Sequence, residues 1–222
     1  MKRERRGWIG KVLWILLAVV AGLLFFWFVM LKLAAKWMGG RAAPCPSSLG
    51  WLVDNPIRRW YMRPILDRVG IRRGDTVLEV GPGPGAFTVD AARRAGPEGR
   101  VLAVDIQPAM IARLQRRLRE MGVTNVETRV ASAYDLPVDE ATVDRAFLVT
   151  VLAEIPDPVR ALEEIRRTLK PGGRLSITEE FSDPDYPLQS TAIRWAETAG
   201  FELEERHGNW WVYTLNFCRP AA

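Results

Sequence analysis

LEVGPGPGAFT, residues 78–88, decides how the rest of the chain is read. An apolar run ends in three alternate glycines, Gly81, Gly83 and Gly85, and a helix-compatible stretch follows. A strand, a glycine turn and a helix in that order let a small molecule approach the backbone closely. The turn also satisfies the G-x-G-x-x-G/A pattern of dinucleotide loops, which alone is a weak match. Two details oppose a pyrophosphate. Pro82 and Pro84 lack the N–H groups that would hold it, and Glu79 places a carboxylate two residues before the first glycine. An acid fixed there suits a cationic amino-acid ligand. Asp105, 20 residues beyond Gly85 and ending the next strand-like run, is placed to accept from ribose hydroxyls.

Outward from this loop, strand-like and helix-like segments alternate. TVLEV (76–80), RVLAVDI (100–106), NVETRVAS (125–132), VDRAFLVT (143–150) and GRLSITEE (173–180) read as strands. Helices are expected over 87–95, over 108–121 with Met110, Ile111, Leu114 and Leu118 on one face, after Asp157 as N-cap, and over 191–200. Upstream, one helix opens at Asn55-Pro56, carries Ile57, Trp60, Tyr61, Ile65 and Leu66, and stops at Gly70. FELEERH and WVYTLNFCR form a closing hairpin around Gly208-Asn209. The pattern implies an α/β fold, a doubly wound, seven-stranded, mostly parallel sheet with helices on both faces.

The first 50 residues read differently. Residues 12–31 contain no charge and are framed by Lys11 and Lys32, with Trp8, Trp14, Trp27 and Trp37 towards the ends. Twenty helical residues span about 30 Å, the thickness of a bilayer's hydrocarbon core. The run exceeds a secretory h-region, so the expectation is a retained transmembrane helix in an anchor over 1–38. A Gly/Pro/Ser-rich linker over 39–50 then leads to a domain over 51–222. Residues 1–41 hold eight Lys/Arg and one acid, leaving the remainder at −2 despite an overall +5. The basic balance therefore belongs to the membrane flanks, and a nucleic-acid partner is not expected. Cys45, Cys218 and the lone His207 show no metal-ligand spacing.

LEVGPGPG, VLAVD, ASAYDLP, VLAEIPDP and LKPGGRL, in this order and spacing, resemble the class I S-adenosylmethionine-dependent methyltransferases. The likeness is to the group with quinone- and phospholipid-methylating members, and it covers about residues 55–220. It implies S-adenosylmethionine as cofactor, with Glu79, Gly81, Gly83 and Gly85 along its methionine part. Asp105 would hold the ribose and Ile106 flank the adenine. Ser132 and Ala133 stand in the adenine motif where relatives often carry an acid, and Thr150 borders the sulfonium. No general base is fixed; Glu154, Asp185 and Tyr186 are the weak candidates, with Glu179, Glu180 and Asp183 nearby.

The expected function is methyl transfer, at a membrane, to a lipid or lipophilic small molecule: a phospholipid amine, a quinone or a hydrophobic thiol. Only about ten residues, FSDPDYPLQS, separate the fifth strand from the last helix, so the acceptor cap is expected from residues 47–70. The alternatives are a catalytically silent cofactor-binding or scaffold protein and, disfavoured by the prolines and Glu79, a nicotinamide-dependent oxidoreductase. The cofactor is cytosolic, which places the domain on that side. Charge alone, with five bases before the span and three close after it, points the other way.

Overall fold

The computed structural model describes residues 11, 14–23, 25–27, 30, 56–183 and 185–221, side chains from 58 onward in the second stretch. The chain divides into two units, residues 1–41 and 42–222. In the first, every described residue is helical, and large apolar side chains from Trp14 to Trp27 are exposed. Among the described residues no helix is long and apolar enough to cross a membrane. Parts of the expected 12–31 span, and all of the 39–50 linker, lie outside the described residues.

The second unit is built on one seven-stranded sheet. Its strands are β1 (Thr76–Val80), β2 (Arg100–Asp105), β3 (Val126–Val130), β4 (Val143–Val149), β5 (Leu169–Glu180), β6 (Glu202–Gly208) and β7 (Val212–Cys218). The order is β3-β2-β1-β4-β5-β7-β6. β1 to β5 run parallel, while β7 inserts antiparallel between β5 and β6. From β1 the chain winds outward through β2 and β3, then returns to the other side of β1 for β4. The carboxyl ends of β1 and β4 thus flank the switch point, where ligands bind in such sheets.

Helices α1 (Pro56–Met62), α2 (Ile65–Val69), α3 (Thr88–Ala95), α4 (Pro108–Glu120), α5 (Pro158–Thr168) and α6 (Gln189–Thr198) cover both faces. Alternation along the strands sorts them. Val77, Val101 and Phe147 pack with Met62, Ile65, Leu66 and the alanines of α3, and Ala103 packs with Ile111, Leu114 and Leu118 of α4. Leu78, Leu102, Val104 and Leu148 face the other way, onto Leu162 and Ile165 of α5 and Ala192 and Ala196 of α6.

Two expectations are corrected. The single helix from residue 55 to 70 is two short ones, because Pro64 has no N–H for the helical ladder and its ring crowds the preceding turn. Trp60, on the first of them, is 76% exposed. Gly70, at φ +69, closes α2 in the left-handed conformation. The LKPGG turn is taken into β5: Leu169 pairs with Val143, the register slips, and Arg174 resumes opposite Arg145. Elsewhere the segment ends shift by a residue or two, and Asp157 caps α5 through Arg160 N.

Candidate active site

The cavity at the switch point, about 290 Å³, is walled by the loops after β1, β2, β3 and β4. Glu79, Gly81, Gly83, Asp105, Ile106, Ser132, Ala133, Thr150 and Glu154 all line it. The fold therefore brings together residues from four separate strand ends.

The glycine loop is fixed at both ends. Gly81 N donates to Val104 O at 2.8 Å, and Gly85 N donates to Pro82 O at 3.0 Å. At Gly81 (φ +72) a Cβ would lie 2.5 Å from Val151 Cγ2, so only glycine lets the loop pass β4. Gly83 (φ +53) has open space where its Cβ would be, which leaves its backbone accessible from the cavity. Gly85 does not line the cavity; a Cβ there would meet Leu114 Cδ1 at 2.6 Å, and its role is to seat the loop on α4.

Asp105 ties this loop to the next. Its Oδ2 accepts from Gly83 N at 3.1 Å and its Oδ1 from Gln107 N at 2.8 Å. Burial pushes its pKa up while those two N–H groups pull it down. Each carboxylate oxygen keeps a second lone pair, which suits a vicinal diol. Ile106 beside it is 56% exposed, an apolar face offered to a flat ring. Across the cavity, Ser132 Oγ accepts from Tyr134 N at 3.2 Å and retains its own hydrogen for a ligand.

Glu79 is buried, and its Oε2 has no hydrogen-bond partner. Burial, the largest cause, raises its pKa to about 8; the Thr88 hydroxyl opposes the shift and the Asp105 charge adds to it. A buried carboxyl with an unmet acceptor is costly unless a ligand supplies the cation or donor. Thr150 is held at φ +54, a strained conformation for a β-branched residue, by its N–H to Thr178 O at 2.8 Å and by Arg58 Nη2 to its Oγ1 at 3.1 Å.

The acids beyond the strand ends separate by environment. Glu154 lines the cavity from a 3-10 turn, Leu152–Glu154. Asp185 and Tyr186 do not line it; Tyr186 donates its hydroxyl to Trp210 O at 2.8 Å. Burial drives the Glu179 pKa well above its ordinary value, with the Asp183 and Glu154 charges adding. Burial acts to raise Glu180 too, but Arg58, with the Ser182 and Tyr61 hydroxyls, outweighs it and holds Glu180 ionised. Arg58 Nε meets Glu180 Oε2 at 2.8 Å. Arg58, Tyr134 and Phe87 belong to the cavity wall without having been expected there. For Arg58 the missing signal is tertiary, since it lies 92 residues from Thr150 and 122 from Glu180.

Residues 71–200 match the family model described as "Methyltransferase domain", more than half of the chain. The chain belongs to the methyltransferase domain family. It is 40% identical over 134 residues to the ubiquinone/menaquinone biosynthesis C-methyltransferase UbiE of Idiomarina loihiensis, 60% of this chain and 53% of that protein. The UbiE of Enterobacter sp. gives the same figures. The chain spans about half the length of the curated relatives it matches. Among solved structures it shares the fold of a SAM dependent methyltransferase from Aquifex aeolicus (TM-score 0.74, 24% identity, 79% of this chain and 99% of that one). It also shares the fold of geranyl diphosphate C-methyltransferase from Streptomyces coelicolor, solved with Mg2+, geranyl diphosphate and S-adenosyl-L-homocysteine (TM-score 0.63, 17% identity, 72% and 78%).

This methyltransferase domain takes S-adenosylmethionine as its cofactor, and the residues present fit it. The unpartnered Glu79 oxygen answers an ammonium, Asp105 a ribose diol, Ile106 an adenine face, and the open Gly83 cradle a close backbone approach. When bound, the cofactor supplies a methyl group on a positively charged sulfur, open to in-line displacement. The protein's part is to position the reactants and exclude water from them.

Proposed function

We propose that the whole protein is a membrane-attached S-adenosylmethionine-dependent methyltransferase whose acceptor is a lipid or lipophilic small molecule. The acceptor classes are a phospholipid amine, a quinone ring and a hydrophobic thiol, and the domain works on the cytosolic side. The observation that carries this reading is the uncharged 12–31 run, whose described residues are helical and hold Trp14, Ile15, Leu16, Leu17, Phe26 and Trp27 exposed. An apolar helix surface of that kind needs lipid or a partner to cover it. The quinone C-methylation named for the relatives is consistent with a lipophilic acceptor.

A second feature supports the reading. Just beyond Glu180 and Val212, on the same edge of the sheet as the cavity, Phe181 packs against Tyr186, Trp210 and Trp211 with ring centroids 5.4–5.6 Å apart. Trp210 is 63% and Leu188 67% exposed. Aromatic rings with one wet and one apolar side prefer the headgroup level of a bilayer.

The test is transfer of radiolabelled methyl from the cofactor to a total lipid extract by the full chain, with flotation of the protein on vesicles measured in parallel. Label in one lipid-soluble product, lost with Asp105→Ala, is expected. Label confined to water-soluble products, or a chain that stays at the bottom of the gradient, overturns the proposal.

A further inference from the structure

We propose that Arg58 and Glu180 are positioning residues for cofactor binding, which clamp Thr150 in its left-handed conformation and so fix the cavity wall that follows β4. Helix α1, which precedes the 71–200 region matching the family model, thereby completes the cofactor site from outside that region. The inference rests on the cofactor assignment and is independent of the acceptor.

Thr150 lies at φ +54, and among the described residues only Ala141 shares a positive φ without being glycine. Ala141 has no branched side chain and does not line the cavity, whereas Thr150 does. A β-branched side chain crowds its own backbone at this φ, so an unrestrained threonine favours extended or right-handed backbone. Strain of this kind persists only where the surroundings hold it, and it collects at functional sites.

The conformation turns the chain sharply out of β4. Val149 still pairs with Thr178 of β5, yet two residues later Val151 presses on the glycine loop, with its Cγ2 2.5 Å from where a Gly81 Cβ would sit. Glu154 closes the 3-10 turn behind it, donating its N–H to Val151 O at 3.0 Å. Thr150, Val151 and Glu154 all line the cavity, and β1 separates them from Asp105 at the end of β2. If Thr150 relaxed, Val151 would shift against Gly81, and this wall would lose its fit to the glycine loop.

Two bonds hold Thr150 in place. Its N–H donates to Thr178 O at 2.8 Å, and Arg58 Nη2 donates to its Oγ1 at 3.1 Å. The second comes from a charged donor and grips a side chain that is stiff at χ1, so holding Oγ1 restrains the backbone behind it. Arg58 is fixed in turn. Its Nε donates to Glu180 Oε2 at 2.8 Å, and Glu180 Oε1 accepts from Tyr61 OH and from Ser182 Oγ at 2.5 Å. Arg58 and Glu180 are 8% and 3% exposed, so water competes little for these bonds. The guanidinium is committed within the protein, bridging Glu180 to Thr150, and its effect on the ligand passes through Thr150.

Variants of Thr150 separate a clamp from a ligand contact. Full-chain wild type, Thr150→Val, Thr150→Ser and Thr150→Gly are titrated calorimetrically with S-adenosylhomocysteine, with urea midpoints measured in parallel. Thr150→Val keeps the shape and the strain but gives Arg58 nothing to hold, so affinity should fall about tenfold as the competent population shrinks. Thr150→Ser keeps the hydroxyl and should stay within about twofold of wild type. Thr150→Gly also lacks the hydroxyl but adopts φ +54 freely, so its affinity should lie within about threefold of wild type even as its urea midpoint falls. Arg58→Lys keeps a charge for Glu180 without the fork that spans both partners. It should weaken binding by about threefold to tenfold alone and by less than about twofold beside Thr150→Gly, and this pair serves where Thr150→Val does not fold. Binding as weak in Thr150→Gly as in Thr150→Val would mean that the hydroxyl touches the ligand. Equal Arg58→Lys losses in both backgrounds would mean a role unconnected with Thr150. Either result overturns the proposal, as does an unchanged affinity in Thr150→Val. If wild type does not bind S-adenosylhomocysteine, the cofactor assignment itself fails, and the proposal with it.

Discussion

Cofactor binding should release a proton, and Glu79 should be its source. The carboxyl is buried, with a pKa raised to about 8, so in the ligand-free protein at pH 7 about nine molecules in ten carry it protonated. The ligand's ammonium beside it favours the carboxylate. Binding at pH 7 should therefore release about 0.9 proton, and the apparent affinity should rise about ninefold from pH 6 to 7. The ligand's own α-amino group, titrating near the ordinary range of about 7.7–8.0, stays protonated over that interval. The assay is calorimetry of S-adenosylhomocysteine binding in buffers of differing ionisation enthalpy, at pH 6, 6.5 and 7. Glu79→Gln keeps the shape, abolishes the release and the slope, and at pH 8 costs about tenfold to a hundredfold in affinity. A release near zero in wild type, or the same release in Glu79→Gln, would refute the reasoning.

Four further outcomes follow from the same geometry. Without ligand, Glu79 makes the folded protein bind more protons than the unfolded chain, because its folded pKa lies above the ordinary 4.5. That stability is present in full below about 4.5 and is lost as pH rises through about 8, so urea midpoints should fall over this window and Glu79→Gln should flatten the decline. Gly81→Ala places a Cβ 2.5 Å from Val151 Cγ2 at φ +72 and should destabilise by about 2–4 kcal/mol, with Val151→Ala recovering the steric part in a double-mutant cycle. Asp105→Asn loses the charge that Gly83 and Gln107 N–H groups meet and should weaken S-adenosylhomocysteine binding, measured by calorimetry, by at least about tenfold. Glu180→Ala leaves Arg58 buried without its carboxylate and should cost about 3–5 kcal/mol, read as a lower denaturant midpoint at unchanged slope.

The sequence by itself determined the sheet and the pocket floor. Period-2 apolar strands alternating with amphipathic helices left little freedom in the architecture, and β1, α3, β2, α4 and β4 form within a residue or two of where the pattern puts them. Gly81, Gly83 and Asp105 were legible because a strand-turn-helix unit constrains their roles locally. The separate fates of Glu154, Glu179, Glu180, Asp185 and Tyr186 were not. Those residues carry no distinguishing local pattern, and only burial and neighbours push the Glu179 pKa up, make Glu180 the arginine's partner and bring Glu154 to the cavity. Gly85, read as a ligand contact, does not line the cavity, and a Cβ there would meet Leu114 Cδ1 of α4 at 2.6 Å. Arg58 looked like one basic residue in a basic stretch. Its place in the wall depends on contacts 92 and 122 residues away, which no local periodicity encodes. Periodicity records which face of an element is buried, and only the folded chain decides which charges meet there.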